Sequence, residues 1–547
     1  MSFFTSRWDL LQKLQRRTSP VPVFFVMPEV TYLFGPGYLT AGPTPGTNRE
    51  LRAFPGRSGP QSYPIIRSSV SKLRPARAVI ALALLALAGA ARGEEALEAS
   101  SGRFRLFPQE PPPVPAPVQP ATKKPAKRFW LATGELFAVE FVTWGFNRYA
   151  ADQDYAHISW DTVRANLNSS FSFDNDKFTT NQIGHSFNGS YFYNAGRTNG
   201  YDFWESTLFT GAGSFIWEMV AETQGPSLND LVNTTLGGAI TGETTYRLSQ
   251  MLLDDRARGG ARFAREALAG IINPTQLLTR LVTGDLTAVR EQRGDYVQPT
   301  RLVAEIDAGY HHYVASTRDN PDLAFIRADM RYGDPFDRSI SKPFDAFDLG
   351  IDFSLPGTPL TRIEIRGMLG GWDLDPGSTG ARHVIAVYMD FDYTNTDTRS
   401  FSSQSFRFGL QSLRPLGNGV DLRAELLGAG APLVALQNDH LGESSYLVGR
   451  AYDYGVGAAV FSAVRLRRRE LDLATLTYSL FWTHTSNGIA RNSSIQNFRA
   501  EARLPLSGPF SVGGSWTWGK RITTYDDFDT FRTDTNQWRA FVSWIFR

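Results

Sequence analysis

From about residue 300 to the end of the chain, apolar and polar residues alternate, and this period of two constrains the fold more than any other feature. The clearest run is Phe347–Leu355, FDLGIDFSL, and similar runs occur at 326–331, 362–366 and 498–504. Successive side chains of a β-strand point to opposite faces, so each run predicts a strand with one apolar and one charged face. About twelve such segments occur, and many are long enough to cross a membrane as tilted strands.

These segments predict an α+β protein. A C-terminal transmembrane antiparallel β-barrel of about 12 strands, at residues 300–547, would follow a small helical domain at residues 128–290. A soluble β-sandwich also alternates, but its strands are usually shorter. The absence of cysteine excludes a disulfide framework and thiolate metal sites. A net charge of +2 gives no reason to expect a nucleic-acid partner.

The N-terminal part of the chain reads as a targeting region. Residues 70–93 combine a basic start, the apolar run Ala78–Ala88 and small residues suited to cleavage, which is typical of a signal peptide. Because a signal peptide works at an N-terminus, residues 1–69 are interpreted as a mis-annotated extension; a short interior apolar helix is the alternative. Residues 94–127 form a Pro-rich linker. A signal peptide before a barrel predicts the outer membrane of a Gram-negative bacterium.

The last predicted strand indicates a partner protein, and the lengths of the connections indicate which end of the barrel faces outside. Residues 538–546 end in an aromatic residue, which resembles the insertion signal of bacterial outer-membrane barrels and implies the barrel-insertion machinery as a partner; the following Arg547 departs from that pattern. Connections near 416–419, 467–470 and 506–509 are predicted to be short. Those near 394–404, 431–449, 486–496 and 522–536 are predicted to be longer. Since long loops are extracellular in such barrels, the 486–496 loop is expected outside.

Five helical stretches are predicted before the barrel, at 129–149, 178–200, 203–223, 227–255 and 261–282, the last interrupted at Pro274. Ser227 is the expected N-cap of the fourth, with Asp230 completing a variant capping box. Gly238-x-x-x-Gly242 and Gly196-x-x-x-Gly200 predict close helix approaches. Because backbone groups exposed to lipid must all be satisfied, the helices are expected to plug the barrel lumen or to lie in the periplasm.

The strand LTYSLFWTHTSNG ends in an unusual way. His484 and Ser486 share a face with Leu476 and Trp482, so an apolar stripe changes into a base and a hydroxyl at the end of the strand. That face is predicted to meet lipid. An imidazole that takes the proton of a serine hydroxyl makes that hydroxyl a nucleophile for esters. The alternative is a polar strand end in which Asn487 and Gly488 simply form a turn.

This strand end resembles the active-site motif of outer-membrane phospholipase A and of lipid A 3-O-deacylase. The resemblance implies His484 as general base, Ser486 as nucleophile and the backbone near Asn487 and Gly488 as an oxyanion hole. It also implies an orienting residue on the next strand, for which Gln496 and Asn497 are the candidates. Gln496 has the parity of the lipid side, whereas Asn497 would need a bulge. The implied partner is membrane lipid; calcium is implied by this resemblance alone, and no other cofactor is expected.

The helical region has a second resemblance, to a bacterial envelope family described as a domain of unknown function. The residues that resemble it are Gly184, His185, Gly189, Tyr191, Arg197, Gly200, Trp204, Glu205, Ser206, Trp217, Glu218, Glu222, Ser227, Asn229, Asp230, Asn233, Gly237, Gly238, Gly242 and Glu243. The family implies no activity.

Four of these residues form a candidate polar site of their own. His185, Glu218, Glu222 and Asp230 are predicted to approach one another as a metal or acid–base site. Buried polar packing is the competing interpretation. In that interpretation Asp230 serves the capping box, and Glu218 or Glu222 pairs with Arg197 or Arg247. A single histidine without cysteine favours this second interpretation, so no metal is predicted. Asp174-Asn175-Asp176 is expected to be a surface turn.

Two functions therefore follow from the sequence. The first is hydrolysis of acyl esters of phospholipid or lipid A in the outer leaflet by a Ser/His mechanism. The second is non-enzymatic: a channel, a lipid conduit or an envelope-organising barrel in which the helical domain acts as plug or periplasmic module.

Overall fold

The structure is a computed structural model. It describes residues 126–289 and 301–546, apart from 317–322, 338–339, 341, 356–358, 377–379, 397, 441 and 443–447. The predicted N-terminal extension, the predicted signal peptide and nearly all of the Pro-rich linker lie outside the described residues.

Helices occupy the first half of the described chain. Their bounds are α1 Phe129–Tyr149, α2 Trp160–Leu167, α3 His185–Arg197, α4 Phe203–Ile216, α5 Leu228–Val232, α6 Gly238–Leu252, α7 Gly259–Ile272 and α8 Pro274–Val282. Short π-helical segments at Thr180–Gly184, Trp217–Ala221 and Asn233–Gly237 lead into α3, follow α4 and join α5 to α6. No helix among the described residues combines the length and the apolar character that a membrane span requires.

Local side chains determine where these helices begin. Asp202 and Glu205 form a capping box at the start of α4, with the Glu205 N–H donating to Asp202 at 3.0 Å. Ser227 caps α5, as predicted, and accepts the Asp230 N–H at 3.3 Å. Asn273 caps α8, whose first residue is Pro274, so the predicted interruption is a helix boundary.

Twelve antiparallel strands form a closed barrel in which each strand pairs with its neighbour in sequence and β1 pairs with β12. The strands are β1 Leu302–Ala315, β2 Leu323–Tyr332, β3 Phe347–Leu355, β4 Leu360–Asp373, β5 Arg382–Thr396, β6 Arg399–Gly417, β7 Val420–Gln437, β8 Tyr452–Arg468, β9 Leu471–Asn487, β10 Arg491–Pro505, β11 Phe510–Tyr525 and β12 Phe531–Phe546. The predicted fold class and strand number are confirmed. We call the end that holds the start of β1 and the end of β12 the terminal end, and the other the far end.

Charged side chains fill the lumen. Arg327 of β2 donates to Glu501 of β10 at 3.1 Å, although three strands separate β2 from β10 around the wall, so this ion pair crosses the interior. Arg539 of β12 reaches Asp352 of β3 at 2.8 Å in the same way. A cavity of about 400 Å³ remains between such pairs. The charged face of each strand is therefore the inner face, and the apolar face is the outer one.

The helices pack against the outer side of the wall. The outward residues Ile363, Phe391 and Tyr454 are 5%, 0% and 0% exposed, whereas Leu476 and Trp538, outward on strands away from the helices, are 49% and 46% exposed. Phe391 lies in one apolar cluster with Tyr193 and Ile240 of the helices. The helical domain thus covers an outer patch that runs from β2 to β8.

This packing on the outer wall differs from the expected lumenal plug, and the expected periplasmic position stays a prediction. Polar contacts fix it at both ends of the barrel: Gln182 donates to the Tyr454 hydroxyl at 3.0 Å near the far end, and Arg247 donates to the Pro343 carbonyl at 2.7 Å near the terminal end. The sequence indicates the two faces of each strand, but it does not indicate which apolar face a helix covers.

Most connections between strands are short at both ends of the barrel. Those at 418–419, 469–470 and 506–509 are short, as predicted. Of the four predicted long loops, only the one at 438–451 is long, because β5, β6, β9, β10, β11 and β12 continue into the regions interpreted as loops. Loop length therefore does not distinguish the two ends of this barrel.

Candidate functional site

His484 and Ser486 lie on the outer face of β9 at the far end. Both are exposed, as are Leu476 and Trp482 on the same face, so the parity predicted for this strand is observed. The rings of Trp482 and His484 are nearly parallel, with centroids 6.2 Å apart. The patch, consisting of an aromatic ring, an imidazole and a hydroxyl, sits beside Val456 of β8, at the edge of the area that the helices cover.

A third side chain completes this arrangement, and it is Asn492. The register of β9 and β10 places Asn492 directly opposite His484, and the imidazole Nδ1 lies 3.0 Å from the Asn492 Oδ1. If Nδ1 carries the proton, it donates to that oxygen, and Nε2 is left as a base. Such a contact fixes both the tautomer and the orientation of an imidazole. We call His484, Ser486 and Asn492 the outer-wall triad.

The two residues predicted to orient the imidazole lie elsewhere. Gln496 faces outward but pairs with Leu480, four residues along the strand from His484, which is about 13 Å away at the usual rise per residue. Asn497 pairs with Ser479 and lines the lumenal cavity. The sequence prediction does not include Asn492, because it places a loop at 486–496, whereas β10 begins at Arg491. The polar stretch Asn492–Ser494 before the apolar run was the signal that could have identified it.

The residues after Ser486 are held in place by Arg450 and Asp453. Arg450 donates to the backbone carbonyl of Asn487 at 3.1 Å and also to its side chain. Gly488 has φ +134°, and a Cβ there would lie 2.1 Å from a carboxylate oxygen of Asp453, so only glycine fits. Among the described residues, the Ser486 hydroxyl forms no hydrogen bond, and His484 does not contact it. A rotation of either side chain is needed to join them.

The second candidate site lies in the helical domain. His185 of α3, Glu218 of the π-helical segment after α4 and Asp230 of α5 each offer one atom within 4.8 Å of the others. His185 Nε2 is 3.4 Å from Asp230 Oδ1, and Nδ1 is 3.2 Å from the Thr234 hydroxyl. We call His185, Glu218 and Asp230 the His–carboxylate cluster. Glu222, the fourth predicted member, accepts a hydrogen bond from the Trp217 indole.

Arg197 and Arg247, the expected ion-pair partners of Glu218 and Glu222, pair with a different carboxylate. Arg197 and Arg247 both bind Glu243, at 2.7 and 2.8 Å, so neither neutralises Glu218 or Glu222. No capping box forms at Ser227, because its N–H donates to Glu218 at 2.7 Å rather than to Asp230. The particular pairings expected for buried polar packing of these acids are therefore not observed, and the choice between packing and a metal or acid–base site stays a prediction.

The carboxyl groups in and beside the cluster have raised pKa values, because they are buried and no arginine or lysine among the described residues pairs with them. Burial raises the pKa of Glu218 to about 9 and that of Glu222 to about 7. Burial, and then the nearby Asp174, raise the pKa of Asp230 well above its usual range. Asp174 is not a simple surface turn: its carboxylate accepts from Asn181 and from Asn229, both at 2.7 Å.

The comparisons with known proteins concern the two halves separately. Residues 170–275 match the family model described as "Domain of unknown function (DUF3943)", which confirms the resemblance predicted for the helical region and includes the whole His–carboxylate cluster. No curated protein matches the chain.

Among solved structures, the barrel is similar to outer-membrane proteins. OmpT of Vibrio cholerae is 8% identical with a TM-score of 0.16, over 45% of this chain and 97% of that one. OpdQ of Pseudomonas aeruginosa is 9% identical with a TM-score of 0.17, over 45% and 98%. The alcaligin outer-membrane receptor FauA of Bordetella pertussis is 15% identical with a TM-score of 0.20, over 43% and 39%. Scores this low carry no argument about function, and the barrel is assigned from its own strand register.

Proposed function

We propose that this protein is an outer-membrane barrel that hydrolyses acyl esters of membrane lipids at the outer-wall triad. The observation that carries the proposal is the 3.0 Å contact between His484 Nδ1 and Asn492 Oδ1 on the outward, apolar face of the barrel. A histidine oriented by an amide, two residues from a serine on the same face, has the composition of a lipid esterase site. The motif resemblance to outer-membrane phospholipase A and lipid A 3-O-deacylase supports the same chemistry.

The mechanism follows from these three side chains. The Ser486 oxygen attacks the ester carbonyl while His484 Nε2 takes the hydroxyl proton. Backbone N–H groups near Asn487 and Gly488 are the donors proposed for the oxyanion of the tetrahedral intermediate. Its collapse expels the alcohol, which takes the proton from the imidazolium. Water, deprotonated by His484, then releases the fatty acid from Ser486.

The surroundings of the triad suit a lipid substrate. Leu476 and Trp482 on the same face, and Leu426 and Phe408 on the outward faces of other strands, are exposed apolar side chains of the kind a barrel presents to acyl chains. The helical domain also exposes large apolar side chains away from the wall, among them Phe141, Leu208 and Phe263. We propose that both surfaces lie in the membrane, with the far end outside.

The non-enzymatic alternatives stay predictions. A channel requires a continuous aqueous path, whereas ion pairs such as Arg327–Glu501 and Arg539–Asp352 cross the lumen.

The test is fatty-acid release from mixed micelles of phospholipid and, separately, of lipid A by the purified chain, with and without calcium. We expect release by the unaltered protein and none by Ser486→Ala. Asn492→Ala should lower kcat by roughly 10²-fold or more, because the imidazole loses its orientation. Ser494→Ala, an outward serine on β10 opposite Trp482, is the matched control and should be fully active.

The outcomes separate clearly. Release that is equal in Ser486→Ala and the unaltered protein, or no release from either substrate, overturns the proposal. A loss on Gln496→Ala with none on Asn492→Ala would refute the assignment of the orienting residue while leaving Ser486 as the nucleophile.

A further inference from the structure

The His–carboxylate cluster joins three separate elements at one buried point. His185 begins α3, Glu218 lies in the π-helical segment after α4, and Asp230 lies in α5. Glu218 and Asp230 are 2% and 4% exposed. Among the described residues, the one ion pair that any of these carboxylates forms is with His185. Two buried carboxyl groups that face one imidazole, without an arginine or lysine, are costly to ionise unless a cation binds between them.

Unpartnered oxygen atoms on residues one helical turn from cluster residues or their neighbours are a second, independent observation. Asn181 and Asn233 are both 0% exposed, and the Oδ1 atom of each has no hydrogen-bond partner. Asn181 precedes His185 by one helical turn, and its Nδ2 donates to Asp174. Asn233 follows Asn229 by one turn and donates to the Asn181 carbonyl at 3.0 Å. A buried amide oxygen without a donor is costly, but it is a good ligand for a cation or for a water bound to one.

We infer that His185, Glu218 and Asp230 bind a divalent transition-metal ion, of which Zn²⁺ and Mn²⁺ are the representative types. One imidazole nitrogen and two carboxylate oxygens suit such ions, whereas a site for Ca²⁺ or Mg²⁺ would consist of oxygen ligands alone. Water or an asparagine oxygen completes the coordination. The inference is independent of the proposed hydrolysis, since none of these residues belongs to the outer-wall triad.

The position of the cluster gives the metal a structural role. Asn229, next to Asp230, donates to the Tyr454 hydroxyl of β8 at 3.1 Å. The contacts of Thr234 with His185 and of Ser227 with Glu218 extend the cluster into neighbouring turns. An ion bound at this point would connect α3, α5 and the π-helical segment after α4 on the outer side of the barrel wall. Because the ion binds the folded chain, it should stabilise the helical domain by mass action.

The experiment uses the full chain in detergent after removal of metal with a chelator. Titration calorimetry with Zn²⁺, Mn²⁺, Ca²⁺ and Mg²⁺, each alone, gives affinity and stoichiometry, and elemental analysis of the untreated protein gives its native content. We expect one Zn²⁺ or Mn²⁺ ion per chain, and an affinity at least tenfold lower in Asp230→Asn and Glu218→Gln, which keep the shapes of the side chains.

Controls keep the result interpretable. His157→Ala removes the other histidine of the helical domain that lies near an acid, the exposed His157–Asp152 pair, and should bind metal as the unaltered chain does. Far-ultraviolet circular dichroism checks that each variant is folded, and His185→Ala is scored only if it is. Absence of Zn²⁺ and Mn²⁺ binding, unchanged affinity in folded Asp230→Asn and Glu218→Gln, or preferential binding of Ca²⁺ would each overturn the inference.

Discussion

At the scale of single residues, Glu135 makes the stability of the helical domain depend on pH. Its carboxyl group is 3% exposed and accepts hydrogen bonds from Asn199 at 2.7 Å and Thr279 at 3.0 Å. Burial raises its pKa from 4.5 to about 7. The folded chain therefore holds this proton more tightly than the unfolded chain. The resulting stability is full below pH 4.5 and is lost as pH rises to about 7, by ~1.4 kcal/mol per pH unit at most.

Replacing Glu135 with Gln should remove this contribution, because the amide keeps an oxygen for Asn199 and Thr279 but does not ionise. We expect Glu135→Gln to gain stability relative to the unaltered chain as pH rises from about 5 to about 8. Urea unfolding of the helical domain, followed by circular dichroism, measures the difference. Asp161→Asn, an exposed acid of α2, should leave the difference unchanged. Equal pH slopes for Glu135→Gln and the unaltered chain would refute the assignment.

The alternation of residues in β9 is enough to predict which face of the barrel wall a side chain occupies. The outward position of His484 and Ser486 follows from a period of two, which does not change along a regular strand. The orienting residue depends instead on where β10 begins, and strand ends depend on cross-strand hydrogen bonds that a sequence does not show. Likewise, the sequence predicts that His185, Glu218 and Asp230 approach one another, but the spacing of residues does not predict that Arg197 and Arg247 pair with Glu243.

At the scale of elements, glycines determine how closely α3 and α6 approach. A Cβ on Gly238 would lie 2.6 Å from the Gly189 backbone, and one on Gly242 would lie 2.6 Å from the Tyr193 ring. The close approach predicted for Gly238-x-x-x-Gly242 is observed. Gly196 also packs closely, against Ser206, whereas Gly200 has φ +90° and serves a turn.

We expect Gly238→Ala to destabilise the helical domain by about 1–3 kcal/mol, because the backbone of α3 must move away to admit the methyl group. Gly145→Ala in α1 is the matched control: nothing lies within 4 Å of its Cβ position. That change should be neutral or stabilising by up to about 1 kcal/mol, since alanine favours the helix. Urea unfolding of both variants measures the two values. A neutral Gly238→Ala would mean that α3 and α6 are not in close contact.

The ends of the five predicted helical stretches agree with the structure to within a few residues, because caps and Pro274 are local signals, but the helix α2 was not predicted. The π-helical segments were not predicted, since nothing in local propensity distinguishes them from α-helix. They occur next to His185, at Glu218 and after Asp230, that is, at or beside each residue of the His–carboxylate cluster.

At the scale of the whole molecule, a single apolar outer surface serves two purposes. Part of it, including Ile363 and Phe391, is covered by helices, and the rest, including Leu476 and Trp538, is exposed. Apolar and polar residues alternate in the same way in the strands that the helices cover and in those that they leave exposed. The barrel was therefore predictable from the sequence, whereas the position of the helices on it was not. If the exposed part of the wall meets lipid, the outer face of the helices that lie on that wall should meet lipid as well.

Site-directed spin labelling tests this arrangement, and the absence of native cysteine makes each label unambiguous. Labels are placed at Leu208→Cys on α4, which is 74% exposed, at Leu476→Cys on the barrel wall and at Ser507→Cys in the β10–β11 turn. In proteoliposomes, we expect the labels at Leu208 and Leu476 to relax faster with oxygen, which concentrates in lipid, than with a water-soluble nickel complex. The label at Ser507 should do the reverse. A Leu208 label that behaves like the Ser507 label would place the helical domain in water, and the apolar face of α4 would then have to be covered by another protein.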